Sequence, residues 1–426
     1  MLERVAGSAG LEGVADMPNS RDEVGFRSAY AARPRHLVIG LMSGTSLDGV
    51  DAALVSIETE TNGVVASVKL LEHQYLPYSD AVRARVAALC SPETARIDDL
   101  TFVHYGLSEW YARAVFMVIK ASGLSVSSID AISMHGQTVW HAPIARAFPG
   151  PDGDLAVKGT LQLGSSAVLR ERTGIPVISD LRARDMAAGG EGAPLAPYID
   201  SILFGSDTEG RIVQNIGGIG NATVIPAHAS MDMLTAFDTG PGNMLMDAVV
   251  IDGTGGAERY DPEGRYGAAG KVAETVVRRL MADPYFSRLP PKSTGREVYG
   301  AAFARAFIDD TTALGLDFND RVATATAFTA ESIAAAYRDF ILGTTNIATV
   351  LVAGGGALNP TLLSMIQERL PAGIRVTTTA ALGVPDQARE AIAFAVIGHQ
   401  SLMGKAGNLP AVTGARCPVV LGCITL

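Results

Sequence analysis

The chain has 426 residues, 48% of them hydrophobic, with 46 glycines and a formal net charge of −10. This length exceeds what one hydrophobic core usually holds, so two domains, or one split by a deep cleft, are expected in a packed α/β protein. The acidic balance, without a block of Lys or Arg, argues against nucleic acid or anionic lipid as main partner, and no apolar stretch approaches the roughly 20 residues that span a bilayer. Three cysteines (Cys90, Cys417, Cys423) fit neither a metal-ligand spacing nor a disulfide framework, which points to a reducing, cytoplasmic setting.

Residues 1–35 contain no apolar core of a secretory signal, and Glu3, Glu12, Asp16, Asp22 and Glu23 argue against an acid-poor mitochondrial presequence. A mobile extension is expected there, with Met17 an alternative start. An apolar run, His36–Met42, then enters Ser43-Gly44-Thr45-Ser46-Leu47-Asp48-Gly49-Val50-Asp51, and a second run leaves it through Ile57. Both runs are short and bounded by glycine, so strand–turn–strand is the natural reading. Such a turn can offer backbone N–H groups and hydroxyls to a polyanion. Asp48 at its tip would repel phosphate unless a divalent cation lay between them. A plain hairpin with a polar tip is the competing reading. Neither a Walker A loop nor a dinucleotide fingerprint is present.

Val65–Glu72 alternates like a third strand, and Asp80–Leu89 and Ile97–Ser122 show helical spacing. Ile129–Met134 reads as a buried strand leading to His135-Gly136-Gln137-Thr138, a polar group expected just past a strand end, where open α/β sheets bind ligands. A satisfied buried histidine is the alternative for His135. Ser165–Arg172 is a serine-capped helix and Pro176–Asp180 a strand. The glycine- and charge-rich loop Leu181–Leu195 follows, expected to close on a ligand, and then a helix, Pro197–Phe204.

About 170 residues after the first, the strand–glycine turn–strand pattern recurs at Arg211–Ile225, around Asn215, Gly217 and Gly218. A duplicated fold with two phosphate-gripping hairpins facing each other is the expectation. Met233–Phe237 leads into Asp238-Thr239-Gly240-Pro241-Gly242-Asn243, and Met244–Ile251 is helical. A carboxylate on so rigid a backbone cannot swing away, although a capping or turn-forming aspartate would look the same. Lys292 and Arg296 lie in a restricted segment, Pro290–Glu297, expected near phosphate or subdomain contacts. Arg321–Tyr337 reads as a core helix. The strand Thr349–Ala353 runs into Gly354-Gly355-Gly356 and Asn359, a turn that lets a ribose or flat aromatic lie on bare backbone. Gly383–Glu390 and a helix, Ala391–Met403, close the chain before a last apolar run.

Together these pieces resemble the two-domain sugar kinase–actin–Hsp70 superfamily. More closely, Ser43–Asp51, His135–Thr138, Asp180–Arg182, Gly189–Leu195, Asn215–Gly218, Phe237–Asp247, Lys292–Arg296 and Gly354–Asn359, in this order from about His36 to the C-terminus, resemble the anhydro-N-acetylmuramic acid kinase family. Leu181 departs from it, standing where an aromatic is usual, and so does the N-terminal extension. The resemblance implies an actin-like ATPase (duplicated ribonuclease H-like) α/β fold around a central cleft. Domain I would comprise residues 36–210 and 395–426, and domain II residues 211–394. It further implies ATP and Mg²⁺ as cofactors, an anhydro-sugar as substrate, and a homodimer as a common assembly. By position, Gly44–Asp51, Asn215, Gly217, Gly218, Gly354, Gly355, Gly356 and Asn359 would bind ATP. His135, Gln137, Asp180, Arg182, Gly240, Pro241 and Asn243 would bind the sugar. Asp238 would be the base, and with Glu390 would hold Mg²⁺ through water. Levoglucosan kinase, a relative acting on an uncharged anhydro-sugar, shares nearly all of these blocks, and a non-catalytic sugar or nucleotide sensor on the same fold is a further alternative. A muramic acid substrate carries a carboxylate and so calls for a pocket cation, with Arg182 and Arg184 the sequence candidates.

Overall fold

The computed structural model describes residues 23–44, 46–60 and 63–426. Thr45 and residues 1–22 lie outside that range, and with them the ATP-binding expectation for Thr45 and most of the expected extension.

Strands β1 (Arg35–Ser43), β2 (Gly49–Thr59) and β3 (Val65–Pro77) form an antiparallel meander. On its other side β1 pairs in parallel with β4 (Ala131–Gly150), which pairs in parallel with β6 (Val177–Ser179), while β5 (Gly153–Leu163) folds back on β4. The second sheet repeats the plan. The antiparallel meander β7 (Gly210–Ile216), β8 (Ile219–Ile225) and β9 (Thr235–Pro241) is followed by β10 (Ile347–Ala353) and β11 (Arg375–Thr378), each added in parallel, β10 beside β7. With β5 set aside as an excursion from β4, both sheets therefore order their strands third, second, first, fourth, fifth. A short terminal strand, β12 (Cys423–Thr425), extends the first sheet antiparallel to β6.

Strand β1 shows why the first sheet is buried on both faces. Ile39 and Leu41 point into the cluster of Tyr111 and Val115 on the helix Ile97–Ser122. Val38 and Met42 point to the opposite cluster, with Ala391 and Ala395 of the helix Asp386–Leu402. The period of two sorts side chains between the layers, each fully buried aliphatic contributing about 1.5–3 kcal/mol. Gly40 is required there, because a Cβ would overlap the Ala391 carbonyl. The second sheet packs on the helix Phe318–Phe340, 23 residues long and buried along much of its length. The lobes share one cluster, in which Ile199 and Phe204 of the helix Ala196–Phe204 meet Val213 and Leu351 of the second sheet.

Three expectations change. Residues 23–35 belong to the fold: Glu23–Ala31 is a helix whose Phe26 and Tyr30 are buried, with the Tyr30 hydroxyl 2.8 Å from His399 Nδ1. Strand β4 does not stop at Met134 but carries His135–Thr138 within it, since Gln137 is paired both to Ser43 and to Leu163. The last long helix begins at Asp386 rather than Ala391, with Pro385 at its N-cap. It lies against β1, β2 and β4, so the expected boundary after residue 394 falls inside one helix of the first sheet. Among the described residues no helix is long and apolar enough to cross a membrane.

Candidate active site

A cavity of about 1280 Å³ opens between the sheets. Ser46 reaches it from the β1–β2 turn, Asn215 and Gly217 from the β7–β8 turn, Asp238 from β9, Gly354 and Gly355 from the turn after β10, and Glu390 from the helix Asp386–Leu402. Residues spread over some 350 positions of sequence are thus gathered into one space, as the duplicated hairpins lead one to expect.

The first turn is held from outside. Gln137, fully buried, donates its amide to the Gly44 carbonyl at 3.0 Å, and the Ser43 hydroxyl lies 3.0 Å from that of Tyr78. Within the turn, Ser46 donates to Asp48 at 2.7 Å, and Leu47 takes a left-handed φ of 57°. Asp51 pairs with His73 at 2.9 Å. Gly49 lies so close to the Leu76 carbonyl (2.5 Å from where a Cβ would be) that only glycine fits. Val50 is a core residue, so any contact it makes with nucleotide is through backbone. Gln137 is placed as a brace of the turn and does not line the cavity.

The second turn is held by backbone. The N–H groups of Gly242 and Asn243 donate to the carbonyls of Gly218 and Gly217 at 2.9 and 2.7 Å, and the Asn243 side chain donates to the Ile216 carbonyl at 3.1 Å. Gly240 (φ 135°) faces Phe286 and Ser332, and Pro241 is buried. Gly240, Pro241 and Asn243 thus shape the second lobe and stand outside the cavity lining. Gly354 is left-handed at φ 81°, a Cβ there would lie 2.7 Å from the Ile216 carbonyl, and its N–H donates to the Asp386 carboxylate. Gly356 packs on the Ile216 side chain, and Asn359 caps the helix Pro360–Arg369 by accepting from the Leu362 N–H at 2.9 Å. Gly218, Gly356 and Asn359 do not line the cavity.

Asp238 lies inside β9, opposite Asn221. Its carboxylate accepts from the Thr294 N–H at 3.0 Å, its own N–H donates to the Lys292 carbonyl at 3.1 Å, and its carbonyl accepts from the Tyr285 hydroxyl at 2.7 Å. The segment 285–294 thereby fixes the acid at three points. Lys292 is not a free phosphate ligand. Its ammonium donates to the Tyr285 and Phe286 carbonyls at 3.3 and 3.1 Å, sits over the rings of Tyr285 and Phe340 at 4.8 and 4.6 Å, and has its pKa lowered by burial.

On the first-lobe wall His135 is a buried histidine with one ring nitrogen paired. Arg182 Nε donates to its Nε2 at 2.8 Å, and burial, followed by the Arg182 charge, pushes its pKa down to about 3, so the ring is neutral. Arg182 spends a second N–H on the Gly192 carbonyl at 2.7 Å. His135, Arg182 and the exposed Asp180 do not line the cavity, and Leu181, 1% exposed, packs in the core. The loop Leu181–Leu195 contains a short helix, Ala183–Ala187, and is anchored by a fully buried carboxylate. Asp185 accepts from Gly192 N–H at 2.8 Å, Asn408 at 2.6 Å and Thr413 at 2.7 Å, and Glu191, Ala193 and Pro194 are thereby presented to the cavity.

At the foot of the cavity Glu390 has its pKa raised, chiefly by burial, with Asp51 and Asp386 adding repulsion and Arg389 and Arg182 opposing it. Arg389 is committed to Asp200 through both carboxylate oxygens, at 2.5 and 2.7 Å. Sequence reading missed Asp200, Asp386, Thr294, Arg288 and His141 as lining residues. Asp200 alone carried a signal, a carboxylate in the apolar helix Ala196–Phe204, where an acid is expected to need a buried partner.

Two sheets of one topology, each sending a glycine turn into a shared cleft beside a backbone-anchored acid, define the two-lobed actin-like ATPase class, a duplicated ribonuclease H-like fold. Sequence comparison narrows the class. The chain belongs to the anhydro-N-acetylmuramic acid kinase family, whose family model matches residues 36–426. An anhydro-N-acetylmuramic acid kinase of Caldanaerobacter subterraneus subsp. tengcongensis is 42% identical over 394 residues, covering 92% of this chain and 98% of the relative. One of Salinibacter ruber is 39% identical over 401 residues, covering 93% and 98%.

Proposed function

We infer that the protein is an ATP-dependent kinase that hydrolytically opens the 1,6-anhydro ring of anhydro-N-acetylmuramic acid and phosphorylates O6, giving N-acetylmuramic acid 6-phosphate and ADP in a cytoplasmic, cell-wall sugar recycling role. The observation that carries the reading is the three-point fixing of Asp238 in a cavity that also receives both glycine turns. Phosphoryl transfer depends on positioning and charge neutralisation more than on covalent help. The backbone of Gly44, Gly217, Gly354 and Gly355, with Ser46, supplies the positioning. Asp238 takes a proton from the water that attacks the anomeric carbon. The C1–O6 bond breaks, O6 attacks the γ-phosphorus, and the bond to ADP breaks. A general base of this kind is typically worth about 10²–10⁴ in rate.

The residues present fit a divalent cation held through water. Among the described residues no three metal-ligating side chains converge, yet Glu390 lines the cavity within reach of the charges of Asp51 and Asp386, a repulsion a cation would relieve. Asp238 and Glu390 would hold Mg²⁺ through its hydration shell, and the ion when bound would neutralise charge on the β- and γ-phosphates. The test is to offer ATP–Mg²⁺ with anhydro-N-acetylmuramic acid, levoglucosan and glucose, and to identify the product. N-acetylmuramic acid 6-phosphate is expected. Glucose 6-phosphate from levoglucosan as the dominant product would assign the neutral-sugar branch instead, and phosphorylation of glucose at a comparable rate would overturn both.

A further inference from the structure

We propose that Arg288 is the specificity residue of this cleft, binding the carboxylate of an acidic anhydro-sugar; this rests on the function inferred above. The argument begins with charge. Glu191, Asp238, Asp386 and Glu390 all line the cavity, so a sugar bearing its own carboxylate meets repulsion unless a cation receives it. Among the described residues three lysines or arginines line the space: Arg288, Lys292 and Arg389. Lys292 is caged by aromatic rings and main-chain carbonyls, and Arg389 is buried, with one guanidinium nitrogen donating to both carboxylate oxygens of Asp200. Neither sequence candidate serves: Arg182, which donates to His135 and Gly192, and Arg184 are both outside the lining. Arg288 is exposed to the cavity, with no side-chain partner among the described residues.

The register of β8 and β9 separates this anion from the triphosphate. Ile219, next to the Gly217–Gly218 turn, pairs with Pro241; Asn221 pairs with Asp238, Ala222 with Phe237, and Thr223 with Ala236. Going from Asp238 to Phe237 and Ala236 therefore leads away from the phosphate turn, by about 3.3 Å per residue. Arg288 belongs to that far side. It follows the short helix Pro284–Ser287, and its charge acts on Tyr285 and on Lys292, whose ammonium lies 6.0 Å from the Phe237 ring centre. The guanidinium thus approaches from beyond the catalytic acid, where the sugar substituents lie once O6 faces the γ-phosphate. A planar fork of donors suits a carboxylate.

The test compares the wild type with Arg288→Gln and Arg288→Lys on anhydro-N-acetylmuramic acid and on 1,6-anhydro-N-acetylglucosamine, the same bicycle without the acid. Both kcat/KM and calorimetric Kd are read, so that a sugar which binds without reacting still reports. In Arg288→Gln the acid-to-neutral preference is expected to fall about 10–100-fold, mostly through KM, the range of a charged hydrogen bond. Arg288→Lys should recover part of it. An equal loss on both sugars would overturn the assignment in favour of a structural role, and a raised KM for ATP with an unchanged sugar preference would make Arg288 a triphosphate ligand. If the wild type itself neither binds nor turns over the acidic sugar, the inferred function fails, and this assignment with it.

Discussion

The two lobes repeat one strand order, yet they hold their glycine turns by different means. In the first lobe the β1–β2 turn carries side-chain chemistry (Ser46, Asp48, Asp51) and is braced by side chains, with Gln137 on the Gly44 carbonyl and Tyr78 on Ser43. In the second the β7–β8 turn is bare, and the main chain of Gly242 and Asn243 closes it. A tightly packed glycine of the second lobe lies beyond that turn, after β10. A Cβ on Gly44 would meet only Ser46, at 3.5 Å or more, and one on Gly217 nothing nearer than 3.8 Å, whereas one on Gly354 would collide with Ile216 and Asn215. The first-lobe turn is open at Gly44 and chemically equipped, and the second-lobe wall at Gly354 is fixed. An enzyme that must admit two substrates and then exclude bulk water has use for one of each.

The largest effect should come from the anchored acid. Asp238→Asn keeps the shape of the side chain and its bond from Thr294 but removes the base, so sugar-dependent ADP release should fall about 10²–10⁴-fold while ATP affinity stays within about twofold. Turnover surviving that change, measured by coupled ADP assay, would remove Asp238 from the mechanism. Next comes the contrast between glycines. Gly354→Ala forces a side chain into a left-handed position against the Ile216 carbonyl, so unfolding free energy in denaturant should fall by about 2 kcal/mol or more. Gly44→Ala should cost under about 0.5 kcal/mol. Similar losses in the two variants would erase the distinction between the open first-lobe turn and the fixed second-lobe wall.

A smaller and more selective change is expected at the brace. Gln137→Leu strips the Gly44 carbonyl of its donor, but it also removes a side-chain oxygen that is buried with no partner among the described residues. The two effects oppose each other, so stability should move by less than about 1 kcal/mol while KM for ATP rises about 3–10-fold. A large stability loss with KM unchanged would mean that the amide supports the core and does not position the turn.

How much of this could be read in advance follows the range of the interactions involved. The repeated strand–turn–strand units were legible because short β-branched runs bounded by glycine announce themselves locally, and Ser165 was recognisable as a cap for the same reason. Partnerships were not. Nothing near His135 shows that Arg182 will take its ring nitrogen, and nothing near Asp185 points to Asn408 and Thr413, more than 200 residues on. Asn359 illustrates the ambiguity: the family resemblance assigned it to ATP, while three residues later a free N–H takes it as a cap. Among the described residues, Arg288 stood out in the cleft only after Lys292 and Arg389 had been matched to their partners in space.

The lobes should also differ in their response to pH, with opposite signs. In the first lobe burial pushes the pKa values of His135 and His399 down from 6.5 to about 3. These rings stay neutral when folded but take up protons when unfolded, so their contribution is full above about pH 6.5 and is lost as pH falls toward 3, by up to about 1.4 kcal/mol per histidine per pH unit. In the second lobe Asp247, on the helix Asn243–Gly253, is pushed up by burial from 3.8 to about 7. Its folded form keeps the proton longer, so that contribution is full below about 3.8 and is lost as pH rises to 7. Between pH 4 and 6.5 the two lobes pull against each other, but one aspartate offsets only one of the two histidines, so melting temperature should still rise with pH there, less steeply than the histidines alone would make it. Asp247→Asn removes one side of the balance, and its melting temperature relative to wild type should rise steadily from pH 4 to 7 and then level off. A constant offset across that range would mean that Asp247 ionises alike in the folded and unfolded chains, and that the second lobe carries no such linkage at this position.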